Sequence, residues 1–223
     1  MNLNLKSLSL AAGELRFLLE RGYPRQRSLR LVGDRHALPA SEREVLRRGV
    51  VSPQAAVRRR AKLRGVEDLA GQPVGLDGHN VLITLESALA GRILVRADDG
   101  VIRDIARAAS GFRISEETGR AVELVLSLLV QWGAAEVHFF LDEPVSHSGR
   151  LAAIVRDKMA TRGLAGTASA VPVPERQLKV FEGLVASSDG ELIEACSRPL
   201  DLAGLILEKA WPEGQKGTMI DLA

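Results

Sequence analysis

A strand buried on both faces of a parallel sheet needs a short, nearly unbroken apolar run, and three such runs recur here, each closing on an aspartate. They are Val74-Gly75-Leu76-Asp77, Val137-His138-Phe139-Phe140-Leu141-Asp142 and Leu184-Val185-Ala186-Ser187-Ser188-Asp189. Runs of this length between turn residues read as fully covered strands. Helical patterns fall between them: Val81 to Ala90, a longer one capped at Ser115-Glu116-Glu117-Thr118 and reaching Trp132, then 150–161, with short ones near Glu191–Ala195 and Asp201–Trp211. Weaker strand signals lie over Ile93–Val95 and Ala168–Val173, with an edge strand over Thr218–Leu222, and Val101 to Ala109 reads as a helix. Strands alternating with helices call for an α/β fold, a mostly parallel sheet in a three-layer α/β/α arrangement.

The chain before this pattern differs. Leu10 to Arg21 has helical spacing, with Gly22 as its stop and Pro24 beyond. Ser41 and Glu44 fit a capping box for a helix ending at Gly49, and Ser52-Pro53 opens another that runs to about Leu63. The division expected is a small basic helical region over 1–70 and an α/β domain over 71–223. Charge follows it: residues 1–70 carry 15 Lys/Arg against 7 Asp/Glu, and the remainder 15 against 21. A basic front suits a polyanion and an acidic back suits a cation. No apolar stretch approaches the ~18 residues of a membrane span, and Glu14 and Arg16 interrupt any export segment. The single cysteine, Cys196, makes no internal disulfide. The expectation is a cytoplasmic protein with no membrane partner; a homo-oligomer is left open.

In open α/β sheets the ligand site lies beyond the carboxyl ends of the strands. Asp77, Asp142 and Asp189 delivered there repel one another unless a cation sits between them, and hard oxygen ligands favour Mg²⁺ or Mn²⁺. In Asp77-Gly78-His79-Asn80 the glycine permits a tight turn and Asn80 can bond the loop or cap the next helix; a plain turn with a solvated aspartate explains the same residues. Ser187, two residues before Asp189, can steady a carboxylate, while Asp189 also suits a helix N-cap. After Asp142, the hydroxyls of Ser146 and Ser148 with Arg150 enter a helix N-terminus and form a candidate phosphate site, or simple capping. Asp98 and Asp99 are a further acidic pair, one of which is a candidate metal ligand. The histidines lack the spacing of a zinc pair, and no Walker loop, nucleophile elbow or dinucleotide turn is present. The run Arg58, Arg59, Arg60, Lys62, Arg64 is a solvated face by default; its local excess suits contact with a phosphate backbone.

These motifs carry a resemblance. Arg21-Gly22-Tyr23-Pro24, Asp77 to Glu86, Ala97-Asp98-Asp99-Gly100 with Arg103-Asp104, Leu141 to Ser146 with Ser148-Gly149, and Ser187-Ser188-Asp189 resemble a prokaryotic family known as domain of unknown function 434, over nearly the whole chain. More distantly, the back two-thirds resembles the PIN and NYN nuclease-like fold. That likeness implies a PIN-like sheet, Asp77 and Asp189 as metal carboxylates, Ser187 as the accompanying hydroxyl, and Asp142 at a neighbouring strand end. For the acid that a helix supplies, Asp98, Asp99, Asp104 and Glu86 compete.

The function expected is a Mg²⁺- or Mn²⁺-dependent ribonuclease-like protein acting on RNA. The alternative is a non-catalytic RNA-binding or assembly module that keeps the acidic pocket; a third reading is a phosphate-handling enzyme on a small metabolite.

Overall fold

The computed structural model describes residues 3–105, 112–211 and 218–222. Four helices come first: α1 Leu5–Glu20, α2 Arg25–Arg35, α3 Ala40–Gly49 and α4 Pro53–Lys62. There follow β1 Pro73–Asp77, α5 Gly78–Leu89, β2 Leu94–Arg96, β3 Ile102–Asp104, α6 Glu116–Gln131, β4 Glu136–Asp142, α7 Ser148–Thr161 and β5 Gly166–Val171. The chain continues through α8 Pro174–Leu178, β6 Leu184–Ala186, α9 Gly190–Ala195, β7 Pro199–Leu200, α10 Leu202–Lys209 and β8 Met219–Asp221. No helix among the described residues is long and apolar enough to cross a membrane.

The main sheet has five strands, all parallel, in the order β5-β4-β1-β6-β7. Alternation along each strand divides its side chains between two cores. Val74 and Leu76, Val137, Phe139 and Leu141, and Leu184 and Ala186 join α5, α6, α7 and α10 in the larger core. On the other face Val185 and Phe140 meet Leu178 of α8, Phe181 and Leu192 of α9. Helices on both faces make the layers α/β/α.

A second sheet, β3-β2-β8, carries the helical region. Val95 on β2, with Ile220 and Leu222 at and beyond β8, is buried with Leu8, Leu15, Val45 and Leu46 of α1 and α3. Arg16 of α1 reinforces the contact: its guanidinium donates to both oxygens of Asp98 (2.7 and 3.0 Å) and to the Leu222 carbonyl (2.7 Å).

Two local expectations need correction. The helix over Val101–Ala109 is instead strand β3, paired antiparallel with β2 through a turn at Gly100, whose φ is +84°; residues 106–109 lie outside the described residues. Asp-Gly before an apolar residue is a hairpin signal, and it outweighs the helical spacing. Ser41 is not an N-cap: α3 begins at Ala40 after Pro39, and Glu44 pairs with Arg47. By contrast, the edge strand expected over Thr218–Leu222 is present as β8, parallel to β2 at the edge of the small sheet. Ser52 accepts from the Ala55 amide and Ser115 from that of Thr118, as their sequence settings suggest.

Asp98→Ala removes the acceptor for Arg16 and for the Val51 amide (3.1 Å) in a half-buried place. We expect a loss of about 2–3 kcal/mol in urea denaturation; unchanged stability would show that this pair does not hold the helical region in place.

Candidate functional site

Register decides what meets at the carboxyl edge. Leu76 pairs with Ala186 on β6, so Asp77 comes level with Ser187; on the other side Asp77 pairs with Phe140, and Asp142 lies two residues further along β4. Ser187 Oγ donates to Asp77 Oδ2 (2.9 Å) and accepts from the Asp189 amide (3.1 Å). Asn80 on α5 accepts from the Ser188 amide (2.8 Å), so both ends of the Asp77–Asn80 motif grip the β6–α9 loop. Close packing favours glycine at 78: a Cβ there would stand 2.6 Å from Leu141 Cδ2 and 3.2 Å from the Phe140 carbonyl oxygen.

Asp77 is buried. Burial above all, and then the charges of Asp142, Glu175 and Asp189, push its carboxyl up to about 7, against the opposing hydrogen bond from Ser187. No arginine or lysine pairs with any of these four acids among the described residues. Asp189 Oδ1 accepts from the amides of Glu191 and Leu192 (2.9 Å each), capping α9. Asp142 Oδ2 lies 3.1 Å from His79 Nδ1. Asp77 Oδ1 and Asp189 Oδ2 therefore have no hydrogen bond among the described residues, nor, with His79 Nδ1 engaged as an acceptor, has the Asp142 carboxylate.

His79 corrects the default reading of a rim histidine as a surface group, for it is buried. Its Nδ1 accepts from the Asp142 amide (3.0 Å), and its Nε2 lies 3.5 Å from Ser148 Oγ. Asp142, His79 and Ser148 thus lie in one line, but Ser148 is buried and its hydroxyl is spent on the carbonyls of Asp142 (2.6 Å) and Val145 (2.7 Å). That serine shapes the loop and is no nucleophile. Ser146 on the same loop and Arg150 in the first turn of α7 are exposed. The signal for His79 was its place directly after Asp77-Gly78, at the rim.

The other acidic pair lies elsewhere. Asp98 is bound by Arg16, as above. Asp99 is fully buried, taking two bonds from Arg103 (2.7 and 2.9 Å) and one from Arg59 (3.1 Å). Burial pushes its carboxyl upward, but the two guanidiniums outweigh that and hold it below the usual carboxylate range. Both are structural ion pairs in the turn of the small sheet, and neither joins Asp77. Of the basic run, Arg59 is largely covered, paired with Asp99 and Glu194, and Lys62 donates to the Glu194 carbonyl (2.6 Å). Arg58, Arg60 and Arg64 are exposed.

Among the described residues no three His, Cys, Asp or Glu side chains are grouped so as to hold a metal ion. Mg²⁺ is nevertheless commonly held by one or two carboxylates with water completing its shell. The donor chemistry at Asp77, with a free oxygen on each neighbouring aspartate, fits that kind of site.

Fold and site together define a parallel α/β protein with an acidic strand-end rim beside an arginine-rich helical region. The chain belongs to the family of the domain of unknown function DUF5616, which matches residues 66–205, while residues 7–62 match the protein of unknown function DUF434. It is 31% identical over 189 residues to the uncharacterized protein MJ0935 of Methanocaldococcus jannaschii, covering 85% of this chain and 90% of that one. No solved structure matches it.

Asp77 keeps its proton to about pH 7 in the folded chain but only to about 3.8 when unfolded. The folded state binds more protons between those values, so the stability Asp77 contributes is full below the lower one and is lost as pH rises to the upper. In thermal melts with EDTA, Asp77→Asn should flatten this decline and raise Tm by several degrees above pH 7. A pH profile identical to that of the parent would contradict the protonated, buried carboxyl.

Proposed function

We propose that this chain is a divalent-metal-dependent hydrolase of RNA phosphodiesters, working at Asp77. The observation that carries the reading is buried Asp77 at the strand ends, within electrostatic reach of Asp142, Glu175 and Asp189, with no arginine or lysine paired to any of the four among the described residues. The main-sheet strands, counted along the chain, run 3-2-1-4-5, the doubly wound order in which ligands bind at the carboxyl edge beside the first strand. A PIN-like assignment of the sheet accords with that order.

Mg²⁺ or Mn²⁺ is the proposed cofactor, with Asp77 as its principal ligand and Asp142 or Asp189 as the second. Such an ion supplies an activated water and neutralises charge building on phosphorus. The chain does the rest. Ser187 fixes the Asp77 carboxylate by its hydrogen bond, and His79 does the same for the β4 end that bears Asp142. Ser146, exposed on the β4–α7 loop, and Arg150, exposed in the first turn of α7, are positioned to meet a phosphate, and Arg58, Arg60 and Arg64 offer the backbone of RNA a salt-sensitive contact.

One observation favours the second reading, a non-catalytic RNA-binding module: a third ligand is not grouped with the others among the described residues. The two separate cleanly. With Mn²⁺ and a labelled RNA, Asp77→Ala should lower the cleavage rate ~10²-fold or more and abolish Mn²⁺ binding in calorimetry, while the far-ultraviolet circular dichroism stays the same. If that variant cuts as fast as the parent, the assignment fails. Salt-sensitive RNA binding by the parent, with no turnover at any divalent concentration, would establish the non-catalytic role.

A further inference from the structure

A cavity of about 440 Å³ lies between the helical region and the β6–α9 loop. Five arginines from four different elements converge on it: Arg25 of α2, Arg47 and Arg48 of α3, Arg59 of α4 and Arg103 of β3. Such crowding costs free energy, because a guanidinium cannot shed its proton to relieve it. The cost falls where an acid stands opposite. Glu44 pairs with Arg47, and Asp99 is shared by Arg59 and Arg103. Gly190 makes the approach of Arg59 feasible, since any Cβ there would collide with that guanidinium.

Arg25 and Arg48 are different. Neither has an ion pair among the described residues. Arg25 donates only to the Arg47 carbonyl (2.6 Å), and Arg48 Nε is buried with no hydrogen-bond partner. Partial removal from water, and then repulsion from Arg59, Arg103 and Arg47, lower the Arg25 guanidinium from its ordinary range against the attraction of Asp99, although the residue stays exposed. Removal from water does the same to Arg48; Asp104 and Glu44 oppose it, and Arg47 and Arg103 add to it. Arg25 thus stands exposed at the mouth of the cavity without a paired acid, and Arg48 faces it with a buried, unpartnered Nε and only the more distant charges of Asp104 and Glu44 in its favour, an arrangement that suits an anion arriving later.

We propose that this cavity binds a phosphomonoester dianion, that of a nucleotide or of a nucleic-acid end. Two unpaired cations match two negative charges, and guanidinium forks match phosphate oxygens in pairs. The volume exceeds what a bare phosphate fills and lies in the range of small-molecule sites. The position is informative too. Arg103 Nε donates to the Ser188 carbonyl (2.7 Å), and Asp189 lines the cavity with its carboxylate engaged in capping α9. A phosphate held here therefore lies directly beside the acidic rim, separated from Asp77 by the Ser187–Asp189 loop. The site stands on its own geometry and does not require hydrolysis at Asp77.

All its measurements are made in EDTA, where metal-dependent cleavage is silent. The probes are inorganic phosphate, AMP, and one short RNA carrying either a 5′-phosphate or a 5′-hydroxyl. Calorimetry should show the 5′-phosphorylated RNA or AMP binding at least about tenfold more tightly than the 5′-hydroxyl RNA, and saturating ligand should raise Tm. Preference for AMP would identify a nucleotide as the source, and preference for the phosphorylated RNA a nucleic-acid end. Arg48→Ala and Arg25→Ala should each weaken binding about tenfold or more, whereas Arg30→Ala, exposed on α2, should not. Without ligand, Arg48→Ala should melt no lower than the parent, because it relieves repulsion. The proposal is overturned if the two RNA ends bind alike and neither inorganic phosphate nor AMP shifts Tm. It is equally overturned if Arg48→Ala lowers Tm and leaves binding intact, the signature of a merely structural cluster.

Discussion

The pairing of β1 between β4 and β6 is the constraint from which the candidate site follows. Parallel strands in register bring their carboxyl ends to one edge, so Asp77, Ser187 and Asp142 become neighbours although up to 110 residues separate them along the chain. A one-residue slip of β6 would turn Val185 into the larger core and break the Ser187 bond to Asp77. Apolar alternation on both faces resists that slip, because Leu184 and Ala186 belong to one core and Val185 to the other. The chemistry at the edge is thus held in place by packing well away from it.

A second node ties the basic front to the acidic back. Asp99 sits fully buried between Arg103 on the small sheet and Arg59 on α4, and Arg59 reaches on to Glu194 of α9. One carboxylate therefore joins three parts of the fold. The same arrangement draws arginines together until Arg25 and Arg48 are left over. An acidic rim with no arginine or lysine paired to it among the described residues and a cavity where arginines outnumber their paired acids lie on two sides of one loop, Ser187 to Asp189. Each is electrostatically incomplete, and the incompleteness has opposite sign: divalent cation and phosphate are the ligands that would satisfy the two together.

Much of this was legible in the residues alone. Short apolar runs marked β1, β4 and β6, their terminal aspartates marked the edge, and Ser52 and Ser115 marked helix starts, because strand burial and helix capping are local in sequence. What pairs with what is not local. Asp98 and Asp99 look as available as Asp77 when read in line, yet Arg16 comes from 82 residues away and Arg59 from 40 to claim them. The arginine cavity gathers side chains from positions 25 to 103, and no window of the sequence shows it. Strand β3 was missed because helical apolar spacing over Val101–Ala109 competed with the Asp99-Gly100 turn, and the turn prevails only once β2 is there to receive the hairpin. Nor does the local sequence show that His79 is enclosed and takes the Asp142 amide on its ring, a bond from 63 residues away.

At the centre of this account is a buried aspartate whose like-charged neighbours call for a divalent cation. The most direct measurement is anomalous diffraction at the manganese edge from crystals of the unaltered chain grown with Mn²⁺. The account predicts a peak within ligand distance, ~2.0–2.2 Å, of an Asp77 oxygen, shared with Asp142 or Asp189 and completed by water. Clear density for the site with no anomalous peak at Asp77 would contradict it, as would a peak found only at surface carboxylates.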